Sequence, residues 1–157
     1  MTIKLLAICK TDSSELQELI DVYQKRLQHY INFEIEIIPD LRKTKNLSEE
    51  QQKNKEGELI LKKLSPTDAL ILFDEKGKQY TSIEFSQYLQ KKMNSGIKQL
   101  VFLIGGPYGF SNEVYNKASG KISLSKMTFS HQMVRLFITE QIYRGYTILK
   151  NEPYHHN

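Results

Sequence analysis

The chemistry open to this chain starts at Gly105-Gly106-Pro107-Tyr108-Gly109, which follows directly on the apolar run Leu100-Val101-Phe102-Leu103-Ile104. Such a run, bounded by turn residues, predicts a strand buried on both faces, as in parallel sheets covered by helices on both sides. The glycines then fall at the carboxyl end of the strand, where open α/β sheets hold their ligands. Three residues without a Cβ let backbone amides and carbonyls come close to a bound molecule, and let the chain adopt φ > 0 where needed. A tight turn into the next helix is the other reading, and these residues alone leave both open. No Gly-Lys-Ser/Thr follows, so the stretch is not a P-loop, and its spacing is not the dinucleotide-binding G-x-G-x-x-G.

The remaining reactive side chains are few. Cys9 is the only cysteine, inside a predicted first strand Ile3–Cys9. It reads as a small buried apolar residue rather than a nucleophile, and a lone thiol points to a reducing cytoplasm. With no second cysteine, and with His155 and His156 adjacent near the C-terminus, no zinc or iron–sulfur site is expected. His131 and Arg135 stand four apart and share one face at the start of a helix, and Glu140 and Arg144 form an i,i+4 pair. Each has an ordinary structural reading: a hydrogen-bonded first-turn histidine, a paired arginine, and a Tyr154-His155-His156 segment without fixed structure.

The elements that must position these groups can be read in order. After the first strand, Asp12-Ser13-Ser14-Glu15 caps a helix to about His29, with Leu16, Leu19, Ile20, Tyr23 and Leu27 on one face. Phe33–Ile38 alternates apolar residues with Glu34 and Glu36, the pattern of a half-exposed strand near a sheet edge. A polar loop follows, and Ser48 with Gln51 forms a capping box for a helix to Lys63. Asp68–Phe73 is a third strand, ending in the turn-like Leu72–Lys78. Thr81-Ser82-Ile83-Glu84 opens a helix to about Asn94. Beyond the glycines, Ser111 caps a short helix to Lys117, Lys121–Leu124 is a brief strand, and Ser125–Phe129 is a loop. Ser130 caps a last helix from His131 to about Leu149, with Val134, Phe137, Ile138, Ile142 and Leu149 on an apolar stripe. Repeated strand–helix alternation predicts one α/β domain spanning residues 1–157, with a parallel sheet and right-handed crossovers.

At 157 residues and a net charge of +4, the chain has room for one sizeable core, and its mild basicity permits nucleic acid without requiring it. No apolar run reaches the roughly 20 residues of a membrane helix, so no membrane association is expected.

Three stretches together go further: Leu103–Gly109 (LIGGPYG), Ile122–Ile148 (ISLSKMTFSHQMVRLFITEQIYRGYTI) and Pro153–His156 (PYHH). With Lys55–Glu58 (KEGE) and Leu72–Lys78, the combination resembles the RlmH family of SPOUT-class methyltransferases. These N3-methylate a pseudouridine in bacterial 23S rRNA. The resemblance covers the whole length and implies an α/β knot, a parallel-sheet fold whose C-terminal part forms a deep trefoil. It implies a cytoplasmic homodimer acting on 23S rRNA in the ribosome, with no DNA partner, no metal, and S-adenosylmethionine as methyl donor. By position, the cofactor loops are Phe73; Gly105, Gly106 and Gly109; and Leu124, Ser125, Lys126, Met127, Thr128 and Phe129. The imide N3 must lose a proton, so a base is needed. His131 and His155 are the candidates, with Arg135 or Arg144 stabilising charge or gripping phosphate, and with Tyr154-His155 as a tail reaching the active site. One departure is His156, where family members commonly carry a basic residue after the Tyr-His pair. Lys10, Arg42, Lys43 and Lys126 are the expected phosphate contacts. The competing readings are a SPOUT methyltransferase acting on tRNA and a non-catalytic ribosome-associated RNA-binding protein. Nucleotide binding at the sheet's switch point ranks last.

Overall fold

The apolar run becomes the central strand of the sheet. In the computed structural model, which describes residues 1–156, five parallel strands stand in the order β2-β1-β4-β3-β5. They are β1 (Thr2–Ile8), β2 (Asn32–Ile38), β3 (Ala69–Lys78), β4 (Gln99–Ile104) and β5 (Gly120–Ile122). β4 pairs with β1 on one side and β3 on the other, and its residues from Leu100 to Ile104 are at most 4% exposed. The period of two divides them between two cores. Leu100, Phe102 and Ile104 join Phe85, Ile138 and Ile142 on one face, while Val101 and Leu103 join Ile60, Phe110 and Val114 on the other.

The first face is covered by α1 (Ser14–Leu27), α3 (Ser82–Asn94) and α5 (His131–Leu149), the second by α2 (Glu49–Lys62) and α4 (Asn112–Lys117). The caps read from sequence are formed: Ser48 with Gln51 and Thr81 with Glu84 are complete capping boxes, and Ser13, Ser111 and Ser130 each accept an amide of the first turn. β2 lies at the sheet edge, where Lys4 of β1 bridges Glu34 and Glu36 across the pair at 3.2 and 2.8 Å.

Four expectations change in detail. β1 ends at Ile8, and Cys9 takes a left-handed conformation at φ +68°. β3 runs on to Lys78 because Asp74–Gly77 forms a bulge rather than a terminal turn. Phe73 and Lys78 both pair with Ile122, and a Cβ on Gly77 would stand 2.4 Å from the Ile122 carbonyl carbon. β5 stops at Ile122, because the Ser123 hydroxyl turns to the Ser125 carbonyl and the Met127 amide donates to Ser125 Oγ. On α5, Phe137 is 36% exposed, whereas Arg135, Thr139, Tyr146 and Thr147 are buried. The inward stripe is thus more polar than its apolar residues suggested, since Arg135 and Thr139 satisfy backbone carbonyls from within it.

Candidate active site

Three neighbouring strands contribute to one site. Phe73 from β3, the turn after β4, and the segment after β5 enclose a cavity of about 570 Å³. All ten residues expected to hold a cofactor line it: Phe73, Gly105, Gly106, Gly109, Leu124, Ser125, Lys126, Met127, Thr128 and Phe129. His131, in the first turn of α5, completes the rim. The volume is within the range that encloses a cofactor-sized molecule. Apolar side chains of Phe73, Ile104, Ile122 and Leu124 offer a slot for a flat base, and the turn backbones and the Ser123 and Ser125 hydroxyls supply polar partners. The residues present therefore fit an adenosyl cofactor. Among the described residues, no group of three or more His, Cys, Asp or Glu could hold a metal ion.

Two of the glycines make room for neighbouring side chains, and the third supplies the positive φ that the turn needs. A Cβ on Gly105 would stand 2.9 Å from the Phe110 ring, and one on Gly106 would stand 2.6 Å from Glu56 Oε2. Gly109 has open space around it but φ of +81°, which only glycine adopts without strain. The turn is closed by an antiparallel Gly106–Gly109 bridge, with the Gly109 amide donating to the Gly106 carbonyl at 3.2 Å. Two of the three glycines admit the protein's own side chains, and this fixes the turn before any ligand arrives.

Glu56 is the residue that sequence reasoning missed, although it stands inside the KEGE stretch. It is 5% exposed on α2, accepts from Gln52 Nε2 at 3.1 Å, and lies against Gly106. Its place among the charged residues of α2 concealed it. Burial holds its carboxyl above the ordinary glutamate value near 4.5, opposed by the Gln52 hydrogen bond, helped by Asp40 and opposed again by His131. The native state therefore binds this proton more tightly than the unfolded chain does. Its contribution to stability is complete below the ordinary value and is lost as pH rises through the higher native one. E56Q is expected to flatten the fall in stability above about pH 4.5; urea midpoints of both proteins across pH 4 to 8 check this, and parallel curves would contradict it.

The five candidate catalytic residues occupy three places. His131 is exposed at the cavity rim. Arg135 is 1% exposed, donating to the Ile8 carbonyl at 2.6 Å and to Thr11 Oγ1 at 3.2 Å, while its Nε has no partner. This corrects the expectation that Arg135 grips a phosphate: enclosed as it is, the guanidinium ties α5 to the end of β1. Arg144, Tyr154 and His155 form a third group. Arg144 holds Glu140 through Nη2 at 2.6 Å, stands over the Tyr154 ring at 4.6 Å, and places Nη1 3.3 Å from His155 Nδ1. The Tyr154 hydroxyl donates to Glu140 Oε1 at 3.0 Å and lies 3.2 Å from the Tyr23 hydroxyl. Burial, with Tyr23 and Glu140, pushes the Tyr154 hydroxyl up, so it stays protonated near neutrality. Arg144 is thirteen residues beyond His131 on one helix, about 20 Å along its axis at 1.5 Å per residue. Within one chain, the tail packs on α5 and does not line the cavity.

Cys9 donates to Asp40, and burial with that carboxylate pushes its thiol up to about 12. A thiol so held is no nucleophile at neutral pH.

Residues 1–155 match the family described as predicted SPOUT methyltransferase. Full-length relatives are named ribosomal RNA large subunit methyltransferase H. Those of Flavobacterium psychrophilum and Flavobacterium johnsoniae are each 70% identical, and that of Christiangramia forsetii is 69% identical, over 156 residues covering 99% of both chains. With its cavity built on three neighbouring strands of a parallel sheet, and matched along its whole length in this way, the chain belongs to the SPOUT methyltransferase family, in the group of the large subunit methyltransferase H proteins.

Proposed function

We propose that this protein transfers the methyl group of S-adenosylmethionine to N3 of a pseudouridine in 23S rRNA. The observation that carries the reading is the cavity: Phe73 of β3 and nine loop residues that follow β4 and β5 line it, with His131 at its rim. Bound there, S-adenosylmethionine would supply an activated methyl group on a sulfonium. The turn backbones and apolar walls orient it, and much of the rate gain in such a displacement comes from holding the partners in line. His131 takes the N3 proton, or His155 does so from another chain. Arg144 at the tail faces developing negative charge. Arg135 holds the helix that carries them.

The homodimer belongs to the same proposal. Leu19 and Val22 on α1 and Met133 and Phe137 on α5 are each at least 36% exposed. Exposed apolar groups on two packed helices fit a two-fold interface. F137D is expected to give a monomer in sedimentation equilibrium with the secondary structure intact; a dimer of unchanged affinity would place the interface elsewhere. The trefoil threading and the cytoplasmic location are proposed with it. The chain leaves β5 at one sheet edge and returns across the strand ends to place Gln132 against Lys10, beside β1. No helix among the described residues is long and apolar enough to cross a membrane.

Exposed Lys10, Arg42, Lys43 and Lys126 are the proposed phosphate contacts. The deciding experiment is transfer of labelled methyl to ribosomes that lack the modification, followed by mapping of the modified base. Labelling of that pseudouridine, with affinity falling steeply in salt, is expected. Labelling of tRNA alone would favour the tRNA reading, and absence of cofactor binding would favour a non-catalytic RNA-binding module.

A further inference from the structure

Tyr108 is unlike every other tyrosine in the chain. The other eight each pack a ring against another aromatic side chain; among the described residues, Tyr108 packs against none and forms no side-chain hydrogen bond. It is 44% exposed and stands at the tip of the turn between Gly106 and Gly109, at the mouth of the cavity. That turn is held from beneath by Phe110 and Glu56 and closed by its own backbone bridge, so the ring is presented on a rigid support. Lys126 and His131 lie on the same rim.

A base that reacts in such a cavity must leave its stack, and single-stranded RNA bases regain stacking on aromatic side chains. An unpartnered ring on the same cavity as a lysine and a histidine meets that need. Exposed Lys126 offers a cation for the adjoining phosphate, and a preformed support limits the entropy lost on binding. We propose that Tyr108 is the stacking platform for the substrate nucleobase at the cavity mouth, a role that rests on the methyltransferase reading of the cavity. The ring face does the work and the hydroxyl is dispensable.

The test compares wild type, Y108A and Y108F in methyl transfer to unmodified ribosomes, with S-adenosylmethionine affinity measured separately by calorimetry. Y108A is expected to raise KM for ribosomes about tenfold or more, in keeping with the loss of one stacked base. Its cofactor affinity and melting temperature should hold, and Y108F should behave as wild type. An unchanged KM in Y108A overturns the proposal, as does Y108F being as impaired as Y108A. An equal loss of cofactor affinity in Y108A also overturns it, since the ring would then pack on the cofactor; so does dissociation of a dimer, since the ring would then belong to that contact. If wild type itself labels no ribosomal RNA, the methyltransferase reading falls and this role falls with it. Active wild type with indifferent variants removes the platform alone.

Discussion

Co-expressed H131A and H155A chains, purified as a mixed dimer through two different tags, are expected to regain activity that neither variant has alone. Each single variant should lose about 10²- to 10⁴-fold in turnover if its imidazole serves the proton transfer. The reason for expecting rescue is geometric. His131 sits at the cavity rim, whereas His155 is bound to Arg144 in a tail packed far along the same helix. In a two-fold dimer that pairs the α1–α5 faces with its axis across α5, the two helices run antiparallel and the start of one meets the end of the other. The cavity of one protomer then faces the tail of its partner. A mixed dimer has one site with both histidines intact and one with neither, so about half of wild-type turnover is expected. A mixed dimer as inactive as its parents would mean that the tail serves its own chain. Near-normal turnover in both single variants would remove both histidines from the proton transfer.

Replacing Gly106 with alanine is expected to cost both stability and cofactor binding. The added Cβ would lie 2.6 Å from Glu56 Oε2, and both residues are buried. Overpacking of this kind costs about 1–3 kcal/mol, and here the strain falls on the turn that lines the cavity. A loss of at least tenfold in cofactor affinity is expected, in proportion to the displacement of that turn. The double variant G106A/E56A should recover much of the loss, because the shortened side chain vacates the space the methyl needs. Calorimetric binding and thermal melting of the four proteins complete the cycle. Strict additivity of the two substitutions would show that Glu56 and Gly106 do not constrain each other.

The strands, helices and caps of this chain are written in short-range terms. The period of two in Phe33–Ile38, the unbroken run Leu100–Ile104, and the paired Ser48/Gln51 and Thr81/Glu84 boxes specify elements through neighbours three or four residues away. That Phe73, the glycine turn and Leu124–Phe129 line one cavity was legible only through resemblance of motifs, because periodicity carries nothing about which strands become neighbours. Their convergence on one cavity is a property of the order β2-β1-β4-β3-β5, which sets β3 between β4 and β5. Tertiary structure alone decided what the charged and small residues do. Arg135 shares a helix face with His131 in the sequence and became a buried tie to Ile8, because α5 packs its polar stripe over the end of β1. Glu56 stood in a charge-rich segment and became the wall behind Gly106. The glycines proved to admit protein rather than only ligand. Sequence determines which groups the chain owns and how each segment folds locally; burial and contact across 50 to 130 residues of separation decide their roles, since those depend on neighbours that no local pattern encodes.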